Sequence, residues 1–438
     1  IKRIELILAP EAQSNDLNSF SHAFKSAKLK VLKLCCVAAD LLGPNTPNIR
    51  YKDKGHALFH CFNYSSHQGD LKVPGKILKR QRELAALEFY SKIIIDKIQF
   101  RNFFTGIKYL NRLVHLGLFI QYSSKIPHTE INYLRKYIEN KREIKRLILD
   151  FFGTDEKLVL QSKINLIDSV KELEKLRVQF AFNTYFEDDH GKSVLEKISS
   201  YHNLKALSLG LCNCSISRTF EELEADLIEL NNLEILELDF SGSSLTNQAI
   251  NNITNLVRTK ITLKDLRLDF SSSRITDSGL SNLADALGGL LNLKRLNIIL
   301  FSCGLITNNG LRDLLNGIQN SSLATTLTEF GMNLTQSSKI TVQGIIAFCK
   351  FIESLQSLEE FEFEYKVLDS VDIFLEAFGR SVQNCQNLKK LKLNFKSSRI
   401  SQNVIDSFYK NCKAMEQVTL LNKNNKEEIP VTSFFGIF

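Results

Sequence analysis

The residues whose types and spacing could do chemistry form two short clusters. His56, His60 and His67 surround Cys61 at i, i+4 and i+11, and imidazole with thiolate is a zinc donor set. No second cysteine joins them, and the surrounding stretch is polar and irregular, so a structural role is expected. Glu187-Asp188-Asp189-His190 could hold a divalent ion. It falls between a strand-like and a helix-like segment, where carboxylates favour a helix N-terminus, so it reads as a cap. The nine cysteines are odd in number and contain no Cys-x-x-Cys pair, which argues against a disulfide framework or a four-ligand zinc site. Reduced thiols packed as small hydrophobes are expected, as in a reducing, cytoplasmic compartment. Gly-x-x-x-x-Gly-Lys-Ser/Thr, Gly-x-Gly-x-x-Gly, His-Glu-x-x-His and Gly-x-Ser-x-Gly are all missing. We therefore expect no catalytic residue, no cofactor and no metal site, and a chain that is not an enzyme.

The elements that would position any site are clearer. From Leu113 a phrase Leu-x-x-Leu-x-Leu recurs at Leu113, Ile144, Leu173, Leu204, Leu233, Leu263, Leu293, Leu327, Leu358, Leu388 and, in degenerate form, Met415. The steps are 31, 29, 31, 29, 30, 30, 34, 31, 30 and 27 residues. In the copy at Leu263 apolar residues alternate from Leu266, which predicts a short strand with one buried face. A polar turn follows, Ile275 points inward, and Thr276 is placed to cap a helix. The helix carries Leu280, Leu283, Ala284 and Leu287 on one face. The same order recurs after Thr246, Thr307, Thr341 and Ser401. A single copy cannot bury its own apolar faces, whereas a stack of copies can.

Upstream, Ile1-x-x-Ile4-x-Leu6 and Leu29-x-x-Leu32-x-Leu34 are clean copies, and Phe59-x-x-Phe62-x-Tyr64 is a third. Residues 70–112 are ambiguous: Lys76 to Tyr90 has helical spacing, and Ile95-x-x-Ile98-x-Phe100 could be a strand. We expect less regular repeats over 1–112, with an irregular or inserted stretch at about 40–112, and regular repeats over 113–438 ending in a degenerate cap.

The phrases Arg274-Ile-Thr-Asp-Ser-Gly-Leu-Ser-Asn-Leu-Ala-Asp-Ala-Leu287 and Asn384-Cys-Gln-Asn-Leu-Lys-Lys-Leu-Lys-Leu-Asn-Phe395 resemble leucine-rich repeats of the ribonuclease-inhibitor-like class, particularly the long arrays of ciliate proteins. The resemblance covers about residues 113–420. It implies an α/β leucine-rich-repeat solenoid, a curved horseshoe with the parallel sheet on the concave side and helices on the convex side. It implies only a binding surface, not a particular function. The asparagine usual after the strand is here mostly serine (Ser241, Ser271, Ser302), from which we expect a looser turn.

On the strands, the first outward position reads Lys145, Glu174, Lys205, Glu234, Lys264, Lys294, Thr328, Glu359, Lys389, Glu416. Arg177, Glu237, Arg267, Glu362 and Lys392 are further outward candidates for partner contact. Alternating signs on strands about 4.8 Å apart relieve one another and offer no continuous track for phosphates. Charge is uneven along the chain: residues 1–150 hold 26 Lys+Arg against 13 Asp+Glu. The excess lies in Lys76, Lys79, Arg80 and Arg82, and in Arg135, Lys136, Lys141, Arg142, Lys145 and Arg146. We expect this region to meet other proteins through an acidic surface, nucleic acid being the lesser option. No run of about 18 apolar residues predicts a membrane span. The expected function is a non-catalytic protein-binding scaffold, a structural or adaptor subunit of a large cytoplasmic complex, with the ciliate-like repeats pointing to the cytoskeleton or cilium. The alternatives are regulation of a Ran-type GTPase, for which Arg50, Arg80 and Arg82 are the nearby arginines, and substrate reception for a ubiquitin ligase.

Overall fold

Each repeat begins with a strand because leucines at alternate positions can share one apolar layer while the residues between them meet solvent. The computed structural model describes residues 3–8, 31–36, 57–62, 72–91, 95–121, 126–153, 157–216, 219–243, 245–366, 371–395 and 400–421. They fall into two units, Ile1–Leu204 and Lys205–Phe438. Both are leucine-rich-repeat solenoids: parallel strands in register, joined by helices.

In the first unit the strands are β1 (Arg3–Leu8), β2 (Val31–Cys36), β3 (Ala57–Phe62), β4 (Ala86–Ser91), β5 (His115–Gln121), β6 (Arg146–Phe152) and β7 (Lys175–Ala181). All pairings are parallel, in the spatial order β3-β1-β2-β4-β5-β6-β7. The third copy thus sits at the outer edge beside β1, not between its sequence neighbours. The helices are α1 (Lys72–Arg80), α2 (Lys97–Phe104), α3 (His128–Glu139), α4 (Lys157–Ile164) and α5 (Asp188–Ser199).

The ambiguous stretch is more regular than expected: the helical spacing read over Lys76 to Tyr90 is a helix only to Arg80, and the strand read at Ile95 is a helix. Leu84-x-x-Leu87-x-Phe89 is a repeat phrase, all three side chains fully buried, and it forms β4. Leu84 and Leu87 also continue a helix-like spacing from Ile77 (i, i+7, i+10). Ile95 to Phe100 is not a strand: Asp96 accepts the backbone N–H groups of Ile98 and Gln99 at 2.8 Å and starts α2. His56 and His67 lie outside the described residues, and His60 and Cys61 fall in β3.

Helix ends leave carbonyls unsatisfied, and the first unit closes them with long side chains. The short helices α2 and α4 are each followed by a 3-10 turn, Ile107–Tyr109 and Ile167–Ser169. The next repeat, with a 12-residue helix, supplies the missing donor. Lys141 Nζ donates to Lys108 O at 2.7 Å, and Tyr201 OH lies 2.5 and 2.7 Å from Ile167 O and Val170 O.

The second unit comprises β8 (Ala206–Gly210), α6 (Thr219–Leu227), β9 (Ile235–Asp239), α7 (Asn247–Thr259), β10 (Asp265–Asp269), α8 (Asp277–Leu287), β11 (Arg295–Ile299), α9 (Asn308–Gln319), α10 (Leu323–Thr326), β12 (Glu329–Asn333), α11 (Val342–Ile345), α12 (Ala347–Ser354), β13 (Glu360–Glu364), α13 (Asp372–Val382), β14 (Lys390–Asn394), α14 (Gln402–Asn411) and β15 (Gln417–Leu421). Its strands stack in sequence order, all parallel. Lys260 repeats the lysine device here, Nζ to Ile228 O at 2.7 Å. Most ends, however, are joined by short side chains. Asn247, Asp277, Asn308 and Asp372, each the first residue of its helix, grip the residue preceding the next helix. Asp277 accepts the N–H of Thr307 at 2.7 Å and its hydroxyl at 2.6 Å; Asn308 does the same for the N–H of Thr341 at 2.9 Å. The expectation that each Thr caps its own helix holds for Thr246 and Thr307. For Thr276, Thr341 and Ser401 the hydroxyl is drawn to the preceding repeat instead. The grip needs room: a Cβ on Gly310 would stand 2.3 Å from Asp277 Oδ1, and one on Gly344 would stand 2.1 Å from Asn308 Oδ1.

The turn after the strand is not looser for lacking asparagine. In these turns Ser243, Cys303 and Ser337 are buried. They donate to the preceding repeat: Ser243 to Leu211 O at 2.6 Å, Cys303 to Phe270 O at 3.2 Å, and Ser337 to Leu300 O at 2.7 Å. Hydroxyl and thiol thus tie three of these turns to the preceding repeat.

Candidate interaction surface

The sheet face away from the helices is where side chains between the leucines emerge. In the second unit β9 alternates half-buried Ile235, Glu237 and Asp239 with buried Leu236 and Leu238. Because the strands are parallel and in register, equivalent residues stand in rows, and the rows pair charges from strand to strand. Lys264 meets Glu234 at 2.9 Å, Arg267 meets Glu237 at 3.4 Å, Arg295 meets Asp265 at 2.6 Å and Lys389 meets Glu359 at 2.7 Å. Lys390 pairs with Glu360 and Lys392 with Glu362. In each pair the cation is on the later strand. Glu364 accepts from Asn333 at 2.7 Å and from Asn394 at 3.0 Å.

These rows border a groove of about 500 Å³ running from Asp265 to Thr419, within the size range of binding pockets. Its floor dips at Asn297 and Gly331, which occupy the row that elsewhere carries charge. None of these three features was read from the sequence: the groove needs the register, and Gly331 is a gap visible only between its neighbours.

In the first unit the same face is charged and more buried. Glu88 accepts from Tyr90 OH at 2.9 Å and lies 3.4 Å from His115 Nε2. Arg177, 4% exposed, donates to Gln179 at 2.8 Å and lies 3.8 Å from Asp150. Arg146 is half-buried, and burial lowers its pKa against the opposing pull of Glu88 and Tyr90. Tyr90 stacks on Phe119 with ring centroids 4.1 Å apart.

The basic cluster expected over 135–146 is dispersed. Arg135 pairs with Glu139 at 2.9 Å and Asp168 at 3.4 Å, and Lys145 with Glu172 at 3.0 Å. Lys141 is buried in its carbonyl plug, and burial lowers its pKa. Arg146 faces the sheet side, which leaves Lys136 and Arg142 exposed. Lys76, Lys79, Arg80 and Arg82 are all exposed, on and just after α1, and none forms an ion pair among the described residues. Glu174 is half-buried at the start of β7, and Lys205 is exposed at the start of β8.

At the Glu187–His190 cluster the structure shows a helix cap. Glu187 precedes α5 and its N–H donates to His190 Nδ1 at 3.2 Å; burial lowers the His190 pKa. Cys212, Cys214, Cys303, Cys349 and Cys412 are buried and, like half-buried Cys385, are thiols outside any disulfide. Burial pushes the thiols of Cys349 and Cys412 up to about 11 and that of Cys385 to about 12, opposite to what a reactive thiolate needs. Among the described residues no group of three His, Cys, Asp or Glu side chains could hold a metal ion, and no helix is long and apolar enough to cross a membrane.

Fold and face together define a leucine-rich-repeat solenoid with an open, charge-paired sheet face. The chain is similar to Rad7 as seen in the crystal structure of the Rad7 and Elc1 complex in yeast. The TM-score is 0.51 at 14% identity, over 76% of this chain and 75% of that one. No family model and no curated protein matches the chain.

Proposed function

We propose that the chain is a non-catalytic protein-interaction scaffold, a structural or adaptor subunit of a larger assembly. The observation that carries this reading is the groove of the second unit, floored by a charge-paired sheet. Repeats that touch only their neighbours give extended surfaces of this kind. The likeness to Rad7, solved in complex with another protein, supports a role in binding proteins. The unpaired cations at Lys76, Lys79, Arg82 and Arg142 suit a partner with an acidic surface. The buried, unreactive thiols suit a reducing compartment such as the cytoplasm.

The test is mass spectrometry of what co-purifies with the tagged endogenous protein at low and moderate salt. A stoichiometric set of proteins is expected, part of it lost at the higher salt. Reversing the charge of Lys76, Lys79, Arg82 and Arg142 together should release that salt-sensitive part; a variant that retains it ends the acidic-partner reading. For the GTPase alternative, stimulation of single-turnover GTP hydrolysis would be required.

A further inference from the structure

The charge pairing of the second unit has one remainder. Five carboxylates at the groove and its border, Asp265, Glu329, Glu360, Glu362 and Glu237, face four cations, and each cation is taken by a carboxylate other than Glu329. Glu329 stands on β12 between Arg295, held by Asp265, and Glu360, held by Lys390. Its carboxylate makes no hydrogen bond and no ion pair among the described residues. Burial raises its pKa, and Glu360 and Asp265 add to the rise while Arg295 opposes it.

Beside this surplus charge the floor falls away. Gly331 carries no side chain, and the amide of Asn297 lies over it, with Nδ2 2.6 Å from where a Cβ would stand. Asn297 is half-buried and its side chain makes no hydrogen bond within the described protein. A half-buried carboxylate and a half-buried amide, neither with a side-chain hydrogen bond among the described residues, thus flank one notch in a cavity of about 500 Å³. A polar group in such a position gains most from a ligand that supplies the missing partner.

We propose that this notch is the anchor of a peptide-docking groove, and that it takes an arginine or lysine side chain from an extended segment of a partner protein. The inference rests on the interaction reading above and names the chemistry its partner must bring. A planar guanidinium meets a carboxylate with two hydrogen bonds and matches the site best. The groove crosses β10 to β15, five steps of about 4.8 Å, or roughly seven extended residues. The paired rows on either side exclude a further unpaired charge, so the register of the segment is set at Glu329.

The experiment is selection of random linear peptides of about 12 residues, displayed on phage, against the whole immobilised chain. Recovered peptides are then measured by fluorescence anisotropy on wild type, Glu329→Gln and Glu329→Lys. A shared Arg or Lys is expected, whose replacement by Ala weakens binding about tenfold, as does Glu329→Gln. A Glu in place of that residue should bind Glu329→Lys better than wild type. The melting temperature of Glu329→Gln should be unchanged or higher, because the carboxylate has no partner to lose; a fall would mark Glu329 as structural. Peptides without a basic position, or indifferent to Glu329→Gln, overturn the anchor, as does recovery of no binder. Stoichiometric protein partners in the co-purification would in that case leave the broader reading intact.

Discussion

The two units share a strand phrase and differ in how they join one repeat to the next. The first (1–204) carries 33 Lys+Arg against 22 Asp+Glu, the second (205–438) 23 against 26. The first reaches across repeats with long side chains: Lys141 and Tyr201 into carbonyls, and Arg101 of α2 to Glu130 of α3 at 2.9 and 2.7 Å. The second mostly uses short ones, through its Asn/Asp grips and its Ser/Cys turn ladder. Long cationic side chains lose more rotamer freedom and must be desolvated, so this device suits a unit already rich in cations. Short side chains lose little freedom but require a close approach, which is why glycine recurs at 279, 310 and 344. The same contrast governs the open faces. One buries single charges in a network, and the other sets them in exchangeable surface pairs worth little individually, leaving the surplus Glu329 free to act.

The comparison can be broken most forcefully in the first unit. Glu130 is only 1% exposed, and Arg101 supplies both of its short contacts, with Lys97 at 3.9 Å. Arg101→Met should therefore lower the urea midpoint of unfolding, because the buried carboxylate of Glu130 loses both of its short contacts. The double variant with Glu130→Met should recover most of this in urea titration. Equal losses in the single and double variants would show that Arg101 acts by packing on Tyr133 and not by pairing.

The second unit is tested at a glycine. Gly344→Ala should cost about 2 kcal/mol, since its methyl meets the Asn308 side chain. In an Asn308→Ala background the sign should reverse, because alanine is the better helix former by roughly 1 kcal/mol. A cost that persists without Asn308 would mean the glycine serves something other than the grip.

Much of this was legible in the sequence for a physical reason. A strand phrase repeated at a near-constant step admits only a stack, so the parallel sheet and the helix order followed from Leu113 onward. Upstream legibility failed where periods overlap: Leu84 and Leu87 extend a helix stripe from Ile77 and equally open the strand phrase that ends at Phe89. The place of β3 beside β1 is a matter of pairing, which no local pattern encodes. Row charges such as Glu359 with Lys389 could be foreseen because registers one repeat apart align. The fates of Lys141 and Arg146 could not, since six neighbouring cations look alike until the backbone sends Lys141 inward and Arg146 to the sheet side, pairs Arg135 and Lys145 with carboxylates and leaves Lys136 and Arg142 exposed. Glu329 was hidden for the converse reason. A surplus is visible only after every pair has been assigned.

The smallest expected effect tests what the second unit's face costs. Asp239 and Asp269 are register partners on β9 and β10, each accepting from a serine two residues on, at 2.8 and 2.5 Å from the hydroxyls. Burial, and next the Asp239 charge, push the Asp269 carboxyl up from 3.8 to about 6. A carboxyl whose folded pKa is raised holds its proton more tightly in the folded chain. Its contribution to stability is therefore full below pH 3.8 and is lost as pH rises through about 6. Asp269→Asn keeps an acceptor for Ser271 and removes the charge, so above pH 7 it should raise stability by about 1 kcal/mol. Denaturation midpoints followed from pH 4 to 8 should show the variant gaining on wild type between pH 4 and about 6, with a constant difference above that. A constant difference across the whole range would mean that Asp269 carries no strained charge, and that the second unit's open face is as relaxed at its strand ends as in its paired rows.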